Sequence, residues 1–273
     1  MKYILNLFVM IFLFTSIVMA QDTTQKITFR KVTNNAFKPG EKLEFDINFG
    51  FINAGTATLE VDGGTSNING RDCYLMKVNV NSSPSFDFIY KFNESYKSYL
   101  DKEGIFPWLT EQEKTEGKDY KYVKDELLQE NQKVIINERN ANNEEKEKEV
   151  KIDLYTLDDI GAFYYARTLD VTGKQPGEVI ILPYLSKDEV KELKIKFIGK
   201  ENVETSAGEF RCNMVQPMLK ESALASKVDD ITVWLTDDDN KIPVKIQMKI
   251  IIGSVKVELK SFQGTGVLKA KVN

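Results

Sequence analysis

Apolar and polar side chains alternate strictly over residues 43–49 of this 273-residue chain. A repeat of two places one set of side chains on each side of an extended chain, so the stretch predicts a half-buried β-strand. The same alternation returns over residues 57–61, after a turn bounded by Gly50 and Gly55. The two stretches together predict an antiparallel hairpin with one face on a core.

Similar short stretches, separated by polar or glycine-containing turns, recur along most of the chain. They predict strands at residues 74–80, 96–100, 120–128, 133–137 and 149–153, and again at 179–182, 193–199, 210–218, 231–235, 244–250 and 255–262. The regular spacing predicts a meander, in which each strand pairs with the next one along the chain. The charged segment 140–148 between two of these strands predicts a solvated hairpin tip.

One segment has helical character. It starts near Thr156, has Asp158 and Asp159 where acids favour the first turn, and has Arg167 where a base favours the last. Its predicted buried face contains Ile160, Phe163, Tyr164 and Leu169. A dozen strands and one short helix predict a mainly β fold, a curved antiparallel sheet or spiral β-roll around that helix.

The first twenty residues have the layout of a signal peptide. Lys2 precedes an apolar run, and Val18 and Ala20 stand where signal peptidase requires small side chains, so Gln21 is the predicted mature N-terminus. The alternative is an uncleaved membrane anchor, but the run is shorter than the roughly 20 residues that cross a bilayer. The predicted organisation is a signal peptide over 1–20, a lead segment over 21–36 and a single β-roll domain over 37–273. The mature protein should be periplasmic or otherwise exported, soluble, and without a transmembrane segment.

Composition restricts the chemistry. The chain has no histidine, which removes Ser-His-Asp and Cys-His machinery and most catalytic zinc sites. It has no glycine-rich phosphate loop, and its formal net charge of −4 makes nucleic acid an unsuitable partner. A pair of carboxylates acting on a polysaccharide stays open as an enzymatic alternative. No catalytic residue, metal ligand or cofactor is predicted.

The acidic run from Asp237 to Asn240 invites a calcium interpretation, but its spacing does not match the helix-loop-helix pattern. It predicts a hairpin turn between two strands. The apolar segment 86–92 predicts either a buried plug or short helical turn against the sheet, or the rim of a groove. In the second case the candidate binding residues are aromatic and could stack on a sugar or contact an acyl chain: Phe88, Tyr90, Trp108 and Trp234, the last phased outward.

Two cysteines in an exported chain invite a disulfide. Cys212 is in phase with the core-facing Phe210 and Met214, whereas Cys73 is out of phase with its apolar neighbours. The two thiols should therefore point to opposite faces. The prediction is two separate thiols, with Cys212 buried and Cys73 the more accessible.

An ordered set of motifs carries a family resemblance. They are Pro39-Gly40-Glu41-Lys42-Leu43 leading into residues 49–55 (FGFINAG), residues 162–167 (AFYYAR), and residues 234–238 (WLTDD) followed by 242–245 (IPVK). Over about residues 37–263 the chain resembles the exported bacterial family called domain of unknown function 3108. The resemblance implies a spiral β-roll like that of small envelope lipoproteins linked to capsule export, and it implies no catalytic residues.

These observations favour a non-enzymatic envelope protein that binds a glycan, a lipid or a protein partner. Two alternatives stay open, a carboxylate-dependent hydrolase of envelope polysaccharide and a structural or secretion-linked interaction protein. Two carboxyl groups facing each other across a cleft would favour the hydrolase. A smooth apolar groove would favour binding, and an exposed apolar patch without a pocket would favour the interaction protein.

Overall fold

The computed structural model describes residues 27–171, 173–218, 228–250 and 253–272. The expected signal peptide over residues 1–20 and the predicted N-terminus at Gln21 lie outside these residues. Within them the chain forms fifteen strands, one turn of 3-10 helix and one α-helix.

The strands before the helix are β1 (Lys42–Phe49), β2 (Ile52–Val61), β3 (Ser66–Ile68), β4 (Arg71–Ser82), β5 (Phe92–Asp101), β6 (Pro107–Glu116), β7 (Asp119–Leu128), β8 (Lys133–Asn140) and β9 (Glu145–Lys151). A 3-10 turn (Gln129–Asn131) separates β7 from β8, and helix α1 covers Asp159–Thr168. The strands after the helix are β10 (Val179–Ser186), β11 (Glu189–Thr205), β12 (Gly208–Met218), β13 (Val228–Thr236), β14 (Pro243–Ile250) and β15 (Ser254–Gln263).

All fifteen strands belong to one antiparallel sheet. The order runs from β10 through β15 to β1 and on to β9, with β3 attached beside β4, and the last strand β15 pairs with the first, β1. Strands β9 and β10 form the two ends of the sheet. They are not neighbours in it, so the sheet coils without closing into a barrel. The predicted curved antiparallel sheet with one short helix is therefore confirmed.

A backbone bridge and side-chain contacts join the two ends of the sheet. Leu157, just before the helix, makes a short parallel bridge to Tyr184 of β10. A small hydrophobic cluster joins Leu127, Val134 and Ile152 of the first half to Leu185 of the second. The bridge, the hydrophobic packing and the ion pair between Lys148 and Asp188 connect the two ends where a barrel would have a hydrogen-bonded seam.

Large parts of the sheet are buried on both faces, because the sheet coils around itself and the helix covers part of it. On β4, Cys73 packs in one hydrophobic cluster and Met76 in another. On β13, Trp234 packs in the main core with Phe45 and Phe210, while the next residue faces the helix. A strict alternation does not imply a solvated face in such a fold.

Both cysteines are free and fully buried, at 0% exposure. The prediction of separate thiols is confirmed, but the prediction that Cys73 is the more accessible is wrong. The alternation of side chains placed Cys73 on the face of β4 opposite the core. In the structure a second hydrophobic cluster, which contains Phe106 and Trp108, covers that face. Burial raises the pKa of each thiol to about 12, which leaves both unreactive at neutral pH.

Helix α1 is held by a buried ion pair between Arg167 and Glu41 at the start of β1. The two side chains are 0% and 1% exposed and bind in bidentate fashion, with Nη1–Oε1 at 2.6 Å and Nη2–Oε2 at 2.9 Å. The remaining guanidinium donors reach the carbonyl oxygens of Asn240, at 2.9 and 3.1 Å, and Ala36, at 3.0 Å. One arginine therefore joins the lead segment, the first strand, the helix and the β13–β14 turn.

The lead segment is packed into the structure from residue 27 onward. Val32 N donates to Glu103 O at 2.7 Å, and the Arg30 guanidinium donates to Gly104 O and Ile105 O. Phe29 packs edge-on against Trp108, with ring centroids 5.4 Å apart. The segment covers the part of the sheet where β5 turns into β6.

Candidate functional site: an apolar groove under the helix

One face of helix α1 does not close fully on the sheet. The residues on that face, Asp159, Ala162, Phe163 and Ala166, follow the 3-4-residue spacing that aligns side chains along a helix. They form one wall of a groove that runs the length of the helix. A ten-residue helix is about 15 Å long.

The opposite wall consists of apolar side chains from four adjacent strands. They are Ile180 of β10, Leu193 and Ile195 of β11, Val215 and Pro217 of β12, and Val233 and Leu235 of β13. The enclosed volume is about 210 Å³. That volume is below the roughly 300–1,000 Å³ of typical small-molecule pockets, so it suits one narrow apolar chain better than a broad ring system.

The helix N-terminus closes one end of the groove with polar groups. Asp159 at the mouth accepts a hydrogen bond from the Tyr184 hydroxyl at 2.5 Å. Beside it, the buried Asp158 caps the helix by accepting from Gly161 N at 2.9 Å, and it also accepts from the Tyr96 hydroxyl at 3.1 Å. Burial, with a further contribution from the nearby Asp159 charge, raises the pKa of Asp158 to about 6.

A third acidic side chain lies behind this cap. Asp125 accepts from Thr110 Oγ1 at 3.3 Å through one oxygen, while its other oxygen and Ser98 Oγ have no hydrogen-bond partner among the described residues. Burial raises the pKa of Asp125 to about 7. Unpaired buried polar atoms of this kind are typical sites for ordered water.

The other end of the groove opens into a polar cleft of about 490 Å³. Three residues line both spaces: Val171 after the helix, Asn213 of β12 and Lys241 of the β13–β14 turn. The cleft is otherwise lined by polar and charged residues, including Lys200 and Asp237. The two spaces together have an apolar part and a polar part that meet at Asn213 and Lys241.

The turn before Lys241 sets the position of that lysine. Asp238 Oδ1 accepts from Thr236 Oγ1 at 2.9 Å and from Asn240 N at 3.0 Å, and Lys241 has a left-handed backbone with φ of 43°. The hairpin turn predicted from the acidic run is therefore confirmed. Its acids hold the backbone, and within the described residues no group of His, Cys, Asp and Glu suits a metal ion.

A family comparison covers most of this fold. Residues 44–260 match the family described as protein of unknown function, DUF3108. The chain belongs to the DUF3108 family. The resemblance carried by the sequence motifs is thus confirmed, and three of those motifs supply residues to the Arg167 network or to the groove.

One solved structure supports the fold of this DUF3108 protein, and two others are similar to a lower degree. A β-barrel-like DUF1849 protein from Brucella abortus has a TM-score of 0.54 at 10% identity, covering 86% of this chain and 99% of its own. A YmcC-like-fold protein from Bacteroides fragilis, described as exported, has a TM-score of 0.34 at 10% identity, covering 85% and 99%. A protein from Parabacteroides distasonis, described as a lipoprotein, has a TM-score of 0.32 at 11% identity, covering 86% and 100%. At these identities the first likeness concerns the fold alone.

Among curated proteins none matches the DUF3108 chain at a significant level. In the part of the chain that the structure describes, no helix combines the length and the apolar character needed to cross a membrane.

The structure does not bring the four predicted aromatic residues together. Phe88 and Tyr90 are 83% and 48% exposed, on a helical turn anchored by the buried Phe86, and neither lines the groove. Trp108 and Trp234 are buried, at 4% and 7% exposure. The outward orientation expected for Trp234 is wrong, because that face of β13 packs in the core and the indole N–H donates to Glu201 at 2.8 Å.

The groove residues were not singled out from the sequence. Val233 and Leu235 lie in a predicted strand, but nothing in their pattern separates a groove wall from a packed core. Asn213 offered a weak signal, since it is a polar residue in the apolar stretch of β12. Lys241 offered no such signal, because a lysine that follows a turn is common in proteins.

Proposed function

We propose that this DUF3108 protein is an exported, non-catalytic envelope protein that binds the apolar chain of an amphipathic molecule in the groove under helix α1. The observation that carries the proposal is the groove itself. Its walls are apolar along the helix and across four strands, and one end opens into a polar cleft. Burying an alkyl chain there removes apolar surface from water at about 25 cal/mol per Å².

A lipid suits this site better than a glycan or a protein segment. Glycan sites present exposed aromatic faces beside many polar groups, whereas the four strands that form the wall of the groove contribute mainly aliphatic side chains, and the exposed Phe88 and Tyr90 lie outside it. A protein segment needs a wide accessible surface, because a stable interface buries about 800 Å² on each partner. A narrow groove between a helix and a sheet gives one alkyl chain contacts on two sides.

The acidic groups next to the groove are better explained by structure than by catalysis. Asp158 uses one oxygen to cap the helix, and Asp125 is hydrogen-bonded within the sheet. A glycosidase requires two accessible carboxyl groups on either side of a bound sugar. This is the basis for proposing a protein that acts without catalysis.

Export to the periplasm is part of the proposal. It is supported by the tripartite N-terminus over residues 1–20, in which a basic residue, an apolar run and small residues occur in order. An aqueous compartment between two membranes is a setting in which a carrier must shield an alkyl chain from water.

The proposal is tested by titrating decanoate into the purified protein by isothermal titration calorimetry. Val233→Phe should fill the groove and weaken binding at least tenfold. The matched control is Val179→Phe, which makes the same exchange at an exposed position of β10 that does not line the groove, and it should leave the affinity within about twofold. Native mass spectrometry of protein purified from its own envelope should show a bound amphiphile that Val233→Phe loses.

Two outcomes would contradict the proposal. One is the absence of decanoate binding to a folded wild-type protein that also carries no lipid from the envelope. The other is equal loss of binding in Val233→Phe and Val179→Phe when both variants melt like the wild type, which would place the ligand elsewhere.

A further inference from the structure

The polar cleft next to the groove has two side chains with unused hydrogen-bonding capacity. Asn213 is 4% exposed, and its Oδ1 has no partner among the described residues. The Lys241 ammonium likewise has no ion pair or hydrogen bond within that part of the chain. Both residues line the groove and the cleft at the point where the two meet.

The orientation of the Asn213 amide is fixed by its neighbour. Its Nδ2 donates to Asp237 Oδ1 at 3.1 Å, and an ionised carboxylate can only accept, so the nitrogen must face Asp237. The amide oxygen therefore faces the other way, as a buried acceptor without a donor. Leaving such a group unpaired is unfavourable, so a ligand donor at that position would be favoured.

Four carboxylates line the cleft, those of Asp170, Asp237, Asp238 and Asp239, and all of them are engaged. Lys269 Nζ lies 3.5 Å from Asp239. Lys200 Nζ binds Asp237 at 2.8 Å, and Asp238 accepts from Thr236, Asn240 and, through its other oxygen, Ala270 N at 3.1 Å. Burial alone would raise the pKa of Asp237, but the hydrogen bonds from Lys200 and Asn213 lower it, so this group stays ionised. Lys241 is the one cationic residue among the described residues that line the groove, and it forms no ion pair with them.

We infer that the cleft recognises a head group in which an anionic oxygen group is adjacent to an N–H or O–H donor. The anion faces Lys241 and the donor faces Asn213 Oδ1. This inference rests on the proposed function, because the alkyl chain in the groove brings the head group to the cleft. It selects single-chain anionic amphiphiles that carry an amide or hydroxyl beside the charge, such as N-acyl amino acids.

The test uses two probes that differ mainly in one N–H group. N-octanoylglycine has an amide N–H beside its carboxylate, and N-octanoylsarcosine has a methyl group in its place. By calorimetry the wild-type protein should bind N-octanoylglycine roughly 3- to 10-fold more tightly, which is the range for one neutral hydrogen bond. In Asn213→Leu this difference should fall below about twofold, through loss of affinity for N-octanoylglycine.

The charge is tested separately. Lys241→Met should weaken N-octanoylglycine about fivefold and leave neutral N-octanoylglycinamide unchanged. The matched control Lys91→Met removes an exposed lysine that lines neither space and should change neither affinity. Thermal melting checks folding, and Asn213→Ser replaces Asn213→Leu if the leucine variant does not fold.

Each result has a definite consequence. If wild type binds both acyl probes equally, an ordered water satisfies Asn213 and the inference is wrong, although the proposed function stands. If the preference persists in Asn213→Leu, the sarcosine methyl group causes a steric clash and the inference is again wrong. If neither these probes nor 1-octanol bind, the proposed function itself fails.

Discussion

The Arg167–Glu41 pair gives the strongest test of the architecture, because one guanidinium joins four separate regions of the chain. Replacing Arg167 by Met leaves the Glu41 carboxylate, 1% exposed, without its counter-charge. It also removes the donors to the carbonyl oxygens of Asn240 and Ala36. Removing one partner of a buried ion pair typically costs about 3–5 kcal/mol.

We expect Arg167→Met and Glu41→Gln each to lower the free energy of unfolding by about 3–5 kcal/mol. Arg167→Lys should cost nearly as much, because an ammonium cannot reproduce the two-pronged geometry of the guanidinium. The double variant Arg167→Met/Glu41→Gln should cost clearly less than the sum of the single changes, since each single change already leaves the other group unpaired. A domain with about 5–15 kcal/mol of stability would still fold with one such change.

The assay is urea unfolding followed by tryptophan fluorescence, which reports on the buried Trp108 and Trp234, and by far-UV circular dichroism. The free energies can be compared only if the unfolding free energy depends on urea concentration with the same slope in all variants. The matched control is the exposed pair Lys121–Glu138, whose side chains are 52% and 40% exposed. The changes Lys121→Met and Glu138→Gln should each cost less than about 1 kcal/mol.

The reasoning is refuted if Arg167→Met costs less than about 1 kcal/mol, or if the two single changes add fully in the double variant. Either result would mean that the guanidinium is hydrated in solution and that the helix is held by its apolar face alone.

Four further predictions follow from the structure. Burial holds the pKa of Asp125 near 7 in the folded state, above its unfolded value of about 3.9, so this group costs stability as pH rises from about 4 to 7. Asp125→Asn should therefore stabilise the protein by about 1–3 kcal/mol at pH 8 and have little effect at pH 4 in urea titrations; equal effects at both pH values would contradict the shift. Cys73 and Cys212 should resist alkylation in the native protein and both react after unfolding without reductant, whereas a linked peptide would disprove separate thiols. Phe163→Ala should lower the free energy of unfolding by about 1–3 kcal/mol in the same assay, because Phe163 is half-buried at the groove and the loss of a fully buried aromatic side chain costs more. A loss above about 4 kcal/mol would mean that the groove is closed in solution. Intact-mass analysis of the exported protein should show Gln21 as the first residue, and retention of earlier residues would exclude the predicted cleavage.

The local pattern of side chains determined much of the secondary structure. Strict alternation identified β1, β14 and β15, and the acids at 158 and 159 with the arginine at 167 identified the helix. These features are local, since a strand or a helix end depends on neighbours in sequence. The strand β6 (Pro107–Glu116) was missed because its residues after the first four are all charged or polar. The charged strand β9 begins at Glu145, within the segment that was predicted as a hairpin tip.

The tertiary structure alone decided which face of each strand meets water. Alternation gives two faces, but it cannot show that the sheet coils so that both are covered, which is why Trp234 and Cys73 were placed wrongly. The partner of Arg167 lies 126 residues away in sequence, and the groove needs one helix face and four strands to meet. Such long-range contacts depend on how the whole sheet curves, whereas the sequence by itself specified most of the strands, the helix and the family.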